Sequence, residues 1–260
     1  MDNKNYHPTA IVSEKAEIGE NVKIGAFSII EDDVVIGDNT EIRNGVVIAD
    51  GSRIGKDCTL YAYVVVGTEP QDLKYEGEKT LAIVGDRTIL REYVTVNRGT
   101  KAHGETVVGS DCYILGYSHI AHDCIVGNNC VLSNLTHLGG HTELGDWVIT
   151  GGYAKFHQFT KVGDHVMVGA DVKVVKDIPP YTLCGSIPPK IDGLNKIGLR
   201  RRGFSREQID KLEEFYKVIL HSGMNNSEGL AKYIADHSEI IPEVQRCIDF
   251  INSSERGIYR

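Results

Sequence analysis

The sequence predicts a parallel β-helix of hexapeptide repeats, closed at its C-terminal end by an α-helical domain. Three observations predict it. From Val12 to Val174, 24 of the 28 residues spaced six apart are Val, Ile, Leu or Phe, where ordinary composition would place about a quarter to a third. That period is neither the 3.6 of a helix nor the 2 of a strand. It belongs to a solenoid that turns a corner after every short strand. Second, the residue two before each aliphatic is small, as at Ala16, Ser28, Thr40, Ser52 and Cys58, and residues two apart share a strand face. Third, the period stops after Val174 and apolar residues reappear at helical spacing. An antiparallel β protein would need irregular strand lengths and hairpin signals instead.

In chain order, three hexads form a coil of 18 residues, and coils stack at about 4.8 Å. Gly follows the aliphatic at Gly19, Gly25, Gly37, Gly55, Gly109 and Gly127, where it is expected to supply corner backbone angles that other residues resist. Two polar excursions interrupt the repeat, 67–80 (GTEPQDLKYEGEKT) and 97–106 (NRGTKAHGET). Of the four exceptions to the aliphatic series, Asp72, Glu78 and Ala102 fall inside them and Thr150 does not. Loops leaving a rigid scaffold commonly carry binding groups.

Pro179, Pro180, Pro188 and Pro189 bound a connector, dividing the chain into a β-helix over 1–186 and a helical domain over 187–260. Ser205 and Gln208 form a capping box ahead of Ile209, Leu212, Phe215, Tyr216 and Ile219, and Gly223 follows that helix. A second helix is expected over Ser227–Ala235, and Pro242 opens a third carrying Val244, Cys247, Ile248 and Ile251. The domain is expected to shield the open strand edges of the last coil.

The formal charge of −8 argues against nucleic acid as a partner. No run of 18 apolar residues predicts a membrane span. The start MDNKNYHPTA has no apolar leader, so a cytoplasmic location is expected. Cys58, Cys112, Cys124 and Cys130 occupy the small inward position and read as reduced core residues; Cys184 and Cys247, outside the repeat, look incidental.

Five histidines, His119, His122, His137, His141 and His157, crowd into 39 residues of uninterrupted repeat. Counting in coils of 18 stacks His119 under His137, His122 under Gly140 and Asp123 under His141. A neutral imidazole is a good general base, Asp123 would orient it, and an exposed Gly140 N–H would receive an oxyanion. No Ser or Cys nucleophile motif is present, which favours direct acyl transfer to a bound hydroxyl. A second reading is zinc: three histidines leave an open position for hydroxide, and His137-x-x-x-His141 has workable spacing. The tail Lys196, Arg200, Arg201, Arg202 and Arg206 concentrates positive charge suited to phosphate or an acidic partner.

The runs HPTAIV (7–12), QDLKYEGE (71–78), HIAHDC (119–124), GGH (139–141), HQF (157–159), HVMVG (165–169), DIPPY (177–181) and LRRRGFSRE (199–207) resemble the acyl-carrier-protein-dependent UDP-N-acetylglucosamine O-acyltransferases of lipid A biosynthesis, over essentially the whole chain. The resemblance implies a homotrimer of left-handed β-helices with sites between subunits. It implies transfer of an (R)-3-hydroxyacyl group from acyl carrier protein to the glucosamine 3-hydroxyl of UDP-N-acetylglucosamine, with no metal and no other cofactor. It implies His122 as general base, Asp123 as its support and the Gly140 N–H as oxyanion donor. Asp72, Lys74, His141 and Gln158 would hold the sugar. His119, His157 and Arg201 would lie near the phosphates or the phosphopantetheine arm, and Asn195 and Arg202 at the nucleotide. Arg200 and Arg201 would dock the acidic carrier. The chain departs from the pattern of some members at Asn97, at Ile197, and at Ala170 where a Gly helps set acyl length.

Rival readings are a related hexapeptide acyltransferase using acetyl-CoA or acting on an amino group, a γ-type zinc carbonic anhydrase, and a non-catalytic scaffold. The sister N-acyltransferase carries an extra nucleotide-binding domain before its β-helix. A repeat that begins by about residue 12 is expected to leave no place for one.

Overall fold

A computed structural model describes residues 5–260; Met1–Lys4, the start of the expected 1–186 domain, lie outside the described residues. Strands of mostly two residues form three long faces of 11, 9 and 8 strands. As far as Lys173–Val174, each strand pairs in parallel with the strand three away in the chain, and Met167–Val168 then pairs in parallel with Thr182–Cys184. The register is the 18-residue coil: Lys23 pairs with Glu41, and His119 with His137. Where the excursions leave, Val65 pairs with Thr95 and Thr95 with His119, steps of 30 and 24. Both exceed 18 by a multiple of six, which keeps the sequence in phase; nothing in the structure requires it. Val65–Thr68, Thr95–Asn97 and Glu105–Val108 extend into the expected excursions, and Leu81–Val84 begins where the first one ends, so the loops proper are 69–80 and 98–104.

The periodic aliphatics fill one continuous core. Thr150 is also buried, its Oγ1 2.8 Å from that of Thr136, so two hydroxyls satisfy each other across coils. The repeated glycines act differently from expectation. Left-handed φ falls two residues later, on Asn39, Asp57, Tyr63, Asp123, His141 and Phe159. The glycines are required by close approach: a Cβ on Gly37 would stand 2.7 Å from the Gly55 carbonyl carbon of the next coil. Left-handed backbone costs a non-glycine residue about 1–2 kcal/mol, and stacking between coils offsets part of it, as in the Tyr63–Tyr93–Tyr117 column with centroids 5.1 and 4.8 Å apart.

Strand pairing continues past the expected boundary at 186. Ile191–Leu194 runs antiparallel to Thr182–Cys184 and ends the 11-stranded face. Four helices follow: α1 (Lys196–Arg201), α2 (Arg206–His221), α3 (Asn226–Asp236) and α4 (Pro242–Ser253). The Ser205–Gln208 capping box forms as read. α1 has no counterpart among the helices expected from the sequence. The domain is tied to the last coil: Tyr259 enters the β-helix core, Asp177 exchanges backbone bonds with Gly257 and Tyr259, and Tyr216 donates to the Pro180 carbonyl at 2.7 Å. Cys184 and Cys247 are fully buried packing residues rather than incidental ones. Burial pushes each thiol up to about 12.

Candidate active site

The corner that carries Asp123 on one coil carries His141 on the next and Phe159 on the one after. Asp123 is completely buried. Its Oδ2 accepts from His122 Nδ1 at 2.7 Å and from the Thr100 hydroxyl at 2.8 Å. Its Oδ1 accepts from the backbone N–H of Thr100 at 2.9 Å and of His103 at 3.3 Å. Burial raises the carboxyl, but the bonds from His122 and Thr100 and the nearby His141 outweigh it, and the pKa lies below its ordinary value. Asp123 therefore stays a carboxylate. Donation from Nδ1 leaves the His122 Nε2 lone pair free to take a proton.

Gly140 sits against this ring: a Cβ there would stand 2.6 Å from His122 Cε1. Its N–H donates to no group among the described residues. Gly140 is buried rather than exposed as expected, so the free donor is one that only a ligand or water can satisfy. Gln158 lies one coil further on, where the next residue, Phe159, donates to the Gly140 carbonyl. Gly139 is equally confined, since a Cβ there would be 2.8 Å from the Gln158 nitrogen.

The His141 ring stacks on Phe159 at 4.4 Å and meets His122 edge-on at 5.3 Å. Burial holds its pKa below the usual histidine value, partly opposed by Asp123 and, more weakly, by Asp72 in the first excursion. That places Asp72 within electrostatic reach of the cluster. Its Oδ1 accepts from the Lys74 N–H at 3.0 Å, and Lys74 is exposed. His119 is held by Thr95 Oγ1 at 2.7 Å, with its ring 6.4 Å from His137. Burial, then the charges of His137 and His122, lower its pKa. The exposed His157 has Nδ1 3.0 Å from the Gln158 carbonyl and 3.4 Å from Arg256.

The other expected residues are not brought to this corner. Asn195 caps α1, accepting from the Gly198 N–H at 3.1 Å, and donates to the His165 carbonyl at 2.9 Å. Arg202 lies over Trp147 at 5.1 Å and donates to its carbonyl at 3.2 Å. Both belong to a different column, Trp147–His165–Tyr181. Ala170 is exposed, packed against Gly151 on a further corner. Arg200 and Arg201 are exposed on α1, their side chains free of partners among the described residues.

Among the described residues, the group able to hold a metal is His122, Asp123 and His141, not the His137–His141 pair. Two ligands on one tetrahedral zinc stand about 3.3 Å apart. The 2.7 Å between His122 Nδ1 and Asp123 Oδ2 is a hydrogen-bond distance. Thr100, His103 and Phe159 escaped the sequence reading. Phe159 was reachable by the 18-residue count; Thr100 and His103 lie in a loop with no period.

A protein of Chlorobaculum parvum named acyl-(acyl-carrier-protein)–UDP-N-acetylglucosamine O-acyltransferase is 58% identical over 252 residues, covering 96% of this chain and 95% of its own. The chain belongs to this O-acyltransferase family. The family's second-domain model, described as UDP N-acetylglucosamine O-acyltransferase, domain 2, matches residues 177–259, and the bacterial transferase hexapeptide model matches 15–50, 35–68 and 105–140. Solved O-acyltransferase structures agree. The UDP-N-acetylglucosamine acyltransferase of Bacteroides fragilis superposes with a TM-score of 0.94 at 42% identity, over 98% of this chain and 99% of that one. A structure from Acinetobacter baumannii gives 0.95 at 36%, over 99% and 100%. The fold is the left-handed parallel β-helix with a short helical C-terminal part.

Proposed function

We propose that this chain transfers an (R)-3-hydroxyacyl group from acyl carrier protein to the glucosamine 3-hydroxyl of UDP-N-acetylglucosamine, the first step of lipid A synthesis, in the cytoplasm. The observation that carries the mechanism is a buried carboxylate holding an imidazole beside an unpartnered backbone N–H. His122 Nε2 removes the proton of the sugar hydroxyl as that oxygen attacks the thioester carbonyl. The carbonyl oxygen, now negative, accepts a hydrogen bond from the Gly140 N–H. Collapse breaks the carbon–sulfur bond, and the imidazolium returns its proton to the departing thiolate. Ester and carrier thiol are the products. Asp72, Lys74, His141 and Gln158 hold the sugar, and His119 and His157 the phosphates or the phosphopantetheine arm. The reaction uses no metal and no other cofactor.

Asn195, Arg202 and Ala170 lie on corners other than that of His122. A homotrimer, in which those parts of one subunit face the His122 corner of the next, reunites them. There Asn195 and Arg202 meet the nucleotide and Ala170 limits the acyl chain. Arg200 and Arg201 remain free for the acidic carrier. No helix among the described residues is long and apolar enough to cross a membrane.

Purified protein incubated with UDP-N-acetylglucosamine and 3-hydroxyacyl carrier proteins of several lengths is expected to yield O-acylated nucleotide sugar by mass spectrometry. Absence of product at every length would sink the proposal. His122→Ala is expected to lower kcat by about 10²- to 10⁴-fold without changing melting or assembly. Chelation with EDTA is expected to leave the rate unchanged; loss of activity restored by zinc would revive the metal reading.

A further inference from the structure

The second excursion grips both halves of the site, and the role inferred for it rests on the acyl-transfer reading. Arg98, at its start, has its side chain only 16% exposed. Its Nε donates to the Tyr75 hydroxyl at 3.0 Å and its Nη1 to the Asp50 and Gly67 carbonyls at 3.1 and 3.4 Å. Tyr75 closes the turn whose backbone bond to the Asp72 carbonyl, at 3.0 Å, holds Asp72 and Lys74 in place. Asn97 adds bonds from Nδ2 to Thr68 Oγ1 and the Glu69 carbonyl, both 3.0 Å. Two residues beyond Arg98, Thr100 gives both its N–H and its hydroxyl to Asp123. Gly99 between them has no room for a side chain, since a Cβ would meet the Glu105 nitrogen.

We infer that Arg98 and Thr100 are positioning residues of the transfer reaction: Arg98 holds the turn carrying Asp72 and Lys74, Thr100 holds the Asp123 carboxylate behind His122, and the short link between them sets the sugar site relative to the base. The two act on different steps. Arg98 touches the sugar-binding turn and none of the dyad, so its effect falls on substrate binding. Thr100 restrains the carboxylate. Without its hydroxyl, Oδ2 keeps only His122 at hydrogen-bond distance and loses the second donor that fixes which way its lone pairs face. The imidazole then loses part of its orientation and of its preference for the Nδ1–H tautomer, so the effect falls on turnover.

The test is a split between constants. Thr100→Val keeps size and backbone donor and removes the hydroxyl; kcat is expected to fall about 10- to 100-fold, with KM for UDP-N-acetylglucosamine within about twofold. Thr100→Ser, which returns the hydroxyl, is expected to recover most of the loss. Arg98→Lys is expected to raise that KM about tenfold or more with a smaller change in kcat. Equal kcat for the Val and Ser variants, or an Arg98→Lys effect confined to kcat, would overturn the assignment. If Thr100→Val does not fold, Thr100→Ala against Thr100→Ser provides the same contrast. A second readout needs no turnover: ¹⁵N shifts of His122 are expected to report one tautomer in the native protein and a mixture without the hydroxyl. An unchanged tautomer in a folded hydroxyl-less variant refutes the Thr100 role. A changed tautomer in a protein that acylates nothing leaves that role standing and removes the acyl-transfer reading instead.

Discussion

A methyl group placed on Gly140 would stand 2.6 Å from His122 Cε1 and 2.7 Å from Nε2, well inside carbon contact distance. Gly140→Ala therefore pushes the base off its carboxylate while disturbing little else. Turnover is expected to fall by at least about 100-fold, with the melting temperature within a few degrees of native. A variant retaining most of its turnover would show that the ring has another place to go. Residues of this kind are legible in the sequence because the coil is a ruler: Asp123 and His141, or His122 and Gly140, are 18 apart and land on one corner. Thr100 and His103 are not legible that way. They reach Asp123 from a loop whose path is set by its own hydrogen bonds, and no period points to them. Arg202 shows the opposite failure, since its charge was legible but its seat over Trp147 was not.

At the scale of the strand and its corner, a hexad such as that of Ile36 divides two demands. Gly37, after the aliphatic, has no room for a side chain because the next coil's backbone lies against it; Asn39, two further on, takes left-handed φ. Gly37→Ala meets the Gly55 carbonyl carbon at 2.7 Å, a rigid neighbour. It is expected to destabilise the β-helix by about 1–3 kcal/mol, measured by denaturant unfolding; a neutral effect would show that the coils can spread. The sequence displays the glycines but not which demand they meet, since both call for the same residue. Of the helices, α2 announces itself by its capping box and apolar face. α1 has only six residues, too few for a period, and depends on Asn195 accepting from the Gly198 N–H.

Across the whole molecule, the helical domain and the β-helix meet at His165, which stacks between Trp147 and Tyr181 and faces Arg202. Burial, then Arg202 and, less, Arg246, push its pKa down to about 4, opposed by Asp164 and Asp146. In the unfolded chain the ring titrates near 6.5, so between pH 4 and 6.5 the unfolded state holds more protons and stability falls as pH falls. His165→Phe keeps the stack and removes the titration. The native protein is expected to lose about 1–2 kcal/mol more than this variant between pH 7 and pH 5, read by denaturant unfolding at each pH. Equal losses would mean that the junction can admit the charge. The overall architecture is the most legible part of the sequence, because a single spacing repeated through the chain specifies strand, corner and stack together. The junction is the least legible, since it is made by residues far apart in the chain.

The 18-residue register also makes the length of this chain a matter of whole steps. A regular hexad added to or removed from the coils would turn everything above it by one third of a revolution relative to everything below. The carboxylate corner would then rise over a different edge of the lower coils. Three such hexads would restore the original bearing and change only the height, by about 4.8 Å. Growth or loss of this scaffold that keeps its edges aligned therefore comes in whole coils, whereas the two excursions, which leave the wall, are not bound to that step.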